Sequence, residues 1–277
     1  MRITIVSYLF ICVFCFCNAV HLNASKVDTV NTYSPSMRKS IKAVVITPDS
    51  YANGRAFPVV YLLHGYSGNQ TDWIKKVPAI TSYSDQCKVI IVCPDGNFSS
   101  WYFDSPEDTS FKYETYISGE LVKWIDDHYK TVKDRKGRAI TGLSMGGHGA
   151  LFLAIKHQEV FGLAGSMSGG VDLRPFPLNW DIAKRLGDYA RYPERWDSNS
   201  VINLTYLLKP NGLALIIDCG TEDFFFHVNE ELHRKLLERN IPHDYLARPG
   251  GHTWEYWADA FNYQMVFIKK YFNSYSR

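Results

Sequence analysis

Short runs of consecutive apolar residues alternate along this chain with stretches in which apolar positions recur every three to four residues. Val59-Val60-Tyr61-Leu62-Leu63 and Val89-Ile90-Ile91-Val92-Cys93 are the clearest runs. Runs of this length without polar interruption are the mark of strands buried on both faces, as in a parallel sheet covered by helices. The pattern predicts strands at 41–47, 58–63, 88–93, 138–141, 163–167, 213–219 and 243–247. Helical spacing appears between them. Ile117, Leu121, Trp124, Ile125 and Tyr129 form one stripe, and Trp254, Trp257, Phe261, Met265, Ile268 and Phe272 form another near the C-terminus. Both stripes read as core-facing. The β-α-β-α alternation predicts a three-layer α/β sandwich with a mostly parallel central sheet. Residues 169–211 break the rhythm. They carry Pro175, Pro177, Pro193 and Pro210 with one short helical pattern near 181–186, which predicts a cap-like insertion over the sheet.

Composition narrows the class without deciding it. The 277 residues are 46% hydrophobic, 21% charged and 15% aromatic, with a formal net charge of +2. Length and balance suit a single α/β domain. Scattered, balanced basic residues give no electrostatic footprint for nucleic acid. Residues 1–19 stand apart. Arg2 precedes the apolar stretch Ile3 to Phe16, and small residues follow at Asn18 and Ala19. This is the layout of a secretory signal peptide cut near Ala19–Val20, and the apolar run is short for a membrane anchor. A lipid-modified Cys17 is the lesser alternative, because Val13-Phe14-Cys15-Phe16 is bulky where small residues are expected. The expected mature chain, 20–277, is then one exported catalytic domain, periplasmic or extracellular. It keeps Cys87, Cys93 and Cys219. Cys93 and Cys219 sit in apolar runs where cysteine acts as a small hydrophobe, so no disulfide framework is implied, and no pair has metal-ligand spacing.

The strongest chemical signal is Gly142-Leu143-Ser144-Met145-Gly146, followed by Gly147. It lies between the expected strand at 138–141 and a helical stretch from His148 to His157. Strand, tight turn, helix is the setting of a nucleophile elbow. The turn strains the serine backbone, so the positions two before and two after it must be nearly free of side chain. Helix-start N–H groups then face developing negative charge. A serine hydroxyl needs a base, and in such folds the acid and then the histidine follow the serine in sequence. His148 lies on the elbow helix and points away. His157, His227 and His233 sit in helical patterns, and His243 enters a strand. His252 lies in Pro249-Gly250-Gly251-His252, a loop after the last strand, and is the candidate base. The candidate acid follows the strand at 213–219. Asp218 is still inside that strand. Glu222 and Asp223 both qualify by position, and Asp223 is preferred, as the group that would accept the imidazole N–H. The Met145 N–H and the Tyr66 N–H are candidate oxyanion donors, Tyr66 because it follows the strand ending at Leu63 in an open Gly65 to Gly68 loop. His64 reads as a brace for that loop. Trp101, with Tyr102, is placed to line an acyl or aromatic pocket; packing beneath a long loop is the competing reading.

These motifs together resemble the putative esterase family. The resemblance is carried by His64-Gly65, Trp101-Tyr102-x-Asp104-Ser105, Gly142-Leu143-Ser144-Met145-Gly146-Gly147, Cys219-Gly220-x-x-Asp223 and Gly250-Gly251-His252-x-Trp254. It runs from about Tyr33 to Phe272. The family includes esterase D (S-formylglutathione hydrolase), the feruloyl and acetyl-xylan esterases of carbohydrate esterase family one, and bacterial mycolyltransferases. The resemblance implies an α/β-hydrolase fold, a Ser–Asp–His triad and no cofactor or metal, and it favours Asp223 over Glu222. With an export signal it implies a secreted serine carboxylesterase acting on feruloyl or acetyl groups of plant polysaccharide. An acyltransferase and an S-formylglutathione-hydrolase-like thioesterase are the alternatives, and a non-catalytic binding protein is the remotest. The expected partner is an ester substrate, such as an acylated polysaccharide or oligosaccharide.

Overall fold

The computed structural model describes residues 25–275. The signal peptide expected at 1–19, its cleavage site and Cys17 lie outside the described residues. Eight strands form one open sheet. They are β1 (Lys26–Ser34), β2 (Lys39–Thr47), β3 (Val59–Leu63), β4 (Ile90–Pro94), β5 (Arg138–Gly142), β6 (Leu163–Met167), β7 (Ala214–Gly220) and β8 (Asp244–Arg248). Their spatial order is β1-β2-β4-β3-β5-β6-β7-β8. The β1–β2 and β2–β4 pairs are antiparallel and the remaining pairs are parallel.

Seven of the strands fall on the expected runs within one or two residues. β4 starts at Ile90 rather than Lys88, because Lys88 takes a left-handed conformation, φ 54°, that caps the preceding helix Ile80–Cys87. β1 is the strand the hydrophobic pattern does not mark. It is an edge strand whose inner end alone is buried, at Thr32 and Ser34, so it has no apolar run to announce it.

Alternation along each buried strand feeds two cores. Val59, Tyr61 and Leu63 face the layer containing the helix Met145–Lys156. Val60 and Leu62 face the other layer, where Trp257, Phe261, Met265, Ile268 and Phe272 of the helix Trp254–Tyr275 pack against them. This is the three-layer α/β-hydrolase arrangement. The stretch from 169 to 211 leaves β6 and returns to β7. It holds two α-helices, Ile182–Leu186 and Pro193–Asn199, where the sequence pattern marks only the first. Its Leu173, Ile182, Trp196 and Ile202 are buried and join the core on the elbow-helix side.

The topology itself selects a location for chemistry. From β3 the chain crosses to β4 on one side, and from β5 it crosses to β6 on the other. The two crossovers leave in opposite directions, so the carboxyl ends of β3 and β5 flank a crevice that no connection closes. Open α/β sheets bind ligands at such switch points.

Candidate active site

Ser144 begins the helix Met145–Lys156 directly after β5, with φ 54° and ψ −118°. That backbone conformation is costly for a residue with a Cβ, and three hydrogen bonds hold it. The Ser144 N–H donates to the Met167 carbonyl (2.9 Å), the Gly146 N–H to the Leu143 carbonyl (2.7 Å), and the His148 N–H to the Ser144 carbonyl (3.0 Å). The flanking glycines have the steric purpose their positions suggest. A Cβ on Gly142 would lie 2.6 Å from the Gly146 carbonyl oxygen, and one on Gly146 would lie 2.6 Å from the carbonyl oxygens of Leu63 and His64. The elbow therefore packs directly on the end of β3.

That contact brings the loop after β3 beside the serine. Tyr66 sits between two tethered neighbours: the Ser67 N–H donates to the Phe98 carbonyl (2.7 Å) and the Gly68 N–H to the Gly65 carbonyl (3.1 Å). Neither the Tyr66 nor the Met145 amide has a hydrogen-bond acceptor among the described residues. His64 braces this loop. Its Nδ1 pairs with the Gly65 carbonyl (2.8 Å) and its Nε2 accepts the Gly96 N–H (2.7 Å); these partners assign the proton to Nδ1.

Asp223 follows β7, and His252 lies in the loop between β8 and the C-terminal helix. His252 Nδ1 is 2.8 Å from Asp223 Oδ2, and His252 Nε2 is 2.9 Å from Ser144 Oγ. The other carboxylate oxygen, Oδ1, accepts the Phe225 N–H at 2.8 Å. The Asp223 side chain is fully buried and that of His252 is 16% exposed, so the carboxylate is shielded while the imidazole edge reaches the cavity. Glu222, the positional rival of Asp223, is exposed. The His252 ring is boxed by Phe224 (centroids 4.2 Å apart), Trp257 (4.7 Å) and Phe225 (5.6 Å).

An open cavity of about 460 Å³ lies over Ser144 and His252, walled by Tyr66, Trp180, Phe224, Trp254 and Trp257. Trp101 is not on that wall, which corrects the expectation from sequence. Its segment turns inward through two successive left-handed residues, Trp101 (φ 51°) and Tyr102 (φ 61°), and both rings are buried in the core. The Trp101 indole N–H donates to the Trp180 carbonyl (3.0 Å), and the half-buried Trp180 supplies the ring on the wall. Trp180 and Phe224 escape a linear reading. One lies in the proline-rich insertion and the other directly follows the acid, and only folding stacks them, at 5.4 Å and 21°. A smaller cavity of about 290 Å³, lined by Arg135, His243 and Tyr271 among others, lies at the opposite edge of the sheet, where β7 and β8 begin.

His148, one turn beyond the elbow, points away from Ser144. Its Nε2 meets the Asn199 carbonyl at 2.8 Å, and complete burial lowers its pKa to about 4. Cys87, Cys93 and Cys219 are free thiols, and burial pushes their pKa values up. Among the described residues no three His, Cys, Asp or Glu side chains gather as a metal site requires, and no helix is long and apolar enough to cross a membrane.

Residues 34–268 match the model of the putative esterase family. The chain belongs to that family. An esterase of Mycobacterium tuberculosis (strain ATCC 25618 / H37Rv) is 32% identical over 238 residues, which cover 76% of this chain and 52% of the relative. The chain thus spans about half the length of the Mycobacterium tuberculosis esterases it matches. An acetyl esterase of Caldicellulosiruptor saccharolyticus is 26% identical over 258 residues, covering 84% of this chain and 96% of the relative. Among solved structures, a ferulic acid esterase superposes with a TM-score of 0.78 at 28% identity, covering 90% of this chain and 99% of that one. The resemblance to the putative esterase family and its α/β-hydrolase fold, both expected from the motifs, therefore hold.

Proposed function

We propose that this member of the putative esterase family is an exported serine carboxylesterase that cleaves acetyl or feruloyl esters on polysaccharide or oligosaccharide. The observation that carries the reading is the unbroken relay from Asp223 Oδ2 through His252 to Ser144 Oγ, at 2.8 and 2.9 Å. His252 Nε2 takes the serine proton as Ser144 Oγ attacks the ester carbonyl. Asp223 keeps the remaining imidazole proton on Nδ1 and stabilises the imidazolium that forms. The unengaged amides of Tyr66 and Met145 bind the oxyanion, each contributing roughly 3 kcal/mol. The alcohol leaves with the proton from Nε2, and water, activated by the same nitrogen, releases the acid and restores Ser144.

The choice of acyl group rests on the aromatic walls of the cavity and on the names of the relatives, an acetyl esterase and a ferulic acid esterase. Export rests on the apolar leader at residues 3–16. The test is the hydrolysis of acetyl, butyryl and feruloyl esters by the wild type and by Ser144→Ala, with and without sugar acceptors. Ser144→Ala should lose several orders of magnitude in kcat while staying folded. Full activity in that variant defeats the reading, and acylated sugar as the main product replaces hydrolysis by transfer.

A further inference from the structure

Asp218 is a buried carboxylate with no part in the chemistry above. It lies inside β7, five residues before the proposed acid, and is fully buried. One of its oxygens, Oδ1, accepts the Tyr256 hydroxyl at 2.5 Å, and Arg248 Nη2 lies 3.0 Å from Oδ2 and 3.3 Å from Oδ1. Arg248 is the last residue of β8, and Tyr256 lies in the first turn of the C-terminal helix. Between them lie the loop 249–253, which carries His252, and the first two residues of the helix.

One carboxylate therefore clamps both ends of the base loop to the strand that carries the acid. The main chain continues the clamp. The Thr221 N–H donates to the Arg248 carbonyl (2.8 Å) and the Glu222 N–H to the Gly250 carbonyl (3.0 Å). Asp218 also touches the nucleophile side, because its carbonyl accepts the Ser168 N–H (2.8 Å), next to the Met167 carbonyl that holds the Ser144 N–H. Stability alone does not account for such a group. A buried ion pair is costly to desolvate, and an apolar pair of similar shape is often as stable. What it adds here is direction, since two ends of a flexible loop converge on one point.

We propose that Asp218 is a positioning residue that holds His252 in register with Ser144 and Asp223. This rests on the reading of His252 as the base. The experiment compares Asp218→Asn, Tyr256→Phe and Arg248→Met with wild type. Functional sites are counted by titration with a fluorophosphonate, and kcat and KM are measured on p-nitrophenyl acetate per titrated site. Asp218→Asn should lower kcat about 10- to 100-fold, the scale expected when a reacting group is misplaced by about an ångström, with KM changed less than about threefold. Tyr256→Phe and Arg248→Met should each give part of that loss, and Tyr256→Phe should add little on top of Asp218→Asn, because the two act through one clamp. A kcat per site within about twofold of wild type overturns the proposal, as does a loss confined to KM or to thermal stability. Should Asp218→Asn not fold, Tyr256→Phe, which removes a single hydroxyl, decides the question by the same criterion. Ser144→Ala is the control: activity surviving there overturns the esterase reading itself, whereas an inactive Ser144→Ala beside an unaffected Asp218→Asn overturns only the clamp.

Discussion

Replacing Asp223 by Asn changes almost nothing in shape, yet under the proposed mechanism it should cost most of the activity. Asp223 Oδ1 accepts the Phe225 N–H at 2.8 Å, so the new amide must keep its carbonyl oxygen there. Turning it round would set an NH2 group against a buried N–H donor. The amide nitrogen then occupies the Oδ2 position, 2.8 Å from His252 Nδ1. Facing a donor, Nδ1 must become an acceptor, and the ring proton moves to Nε2. That nitrogen lies 2.9 Å from Ser144 Oγ, where it can no longer take the serine proton. The wrong tautomer of a triad histidine costs roughly 10⁴ in kcat, equivalent to about 5.4 kcal/mol. The assay is steady-state hydrolysis of p-nitrophenyl acetate by Asp223→Asn, with urea unfolding as the check on integrity. A folded Asp223→Asn enzyme retaining more than a tenth of wild-type kcat would refute the tautomer argument and the acid assignment with it.

Three further outcomes follow from the same geometry. Gly146→Ala places a methyl group 2.6 Å from two main-chain oxygens of residues 63 and 64; it should lower unfolding free energy by about 1–3 kcal/mol in urea titration and reduce kcat by pushing the Tyr66 loop from the elbow. Trp180→Ala removes one wall of the cavity, so kcat/KM for a feruloyl ester should fall roughly 3- to 10-fold relative to an acetyl ester, the value of a lost aromatic stack; an unchanged ratio excludes Trp180 from acyl recognition. Burial holds the His148 pKa near 4 against 6.5 in an open chain. The unfolded chain therefore binds the proton first, and stability should fall with pH below 6.5, by about 2 kcal/mol at pH 5. Urea midpoints at pH 7.5 and pH 5 check this, since His148→Gln should flatten that slope.

Much of this molecule is readable in one dimension, for local reasons. A strand sandwiched between two helical layers must be apolar on both sides, so β3, β4 and β7 announce themselves by composition. The elbow is legible because strain and close packing leave only glycine at positions 142 and 146. The proposed triad, Ser144, Asp223 and His252, is suggested by its places after β5, β7 and β8, since a sheet of parallel strands delivers all those strand ends to one edge. What sequence order cannot convey is which side chain turns toward that edge. Trp101 and Trp180 are both tryptophans in loops, and both have left-handed backbones (φ 51° and 48°), yet the packing around them buries the first and leaves the second on the cavity wall. β1 goes unmarked because an edge strand makes few demands on its residues. The clamp on the base loop unites residues 218, 248 and 256 from three different elements. Those contacts span the sheet and its covering helix, and the chain acquires them only when the layers close.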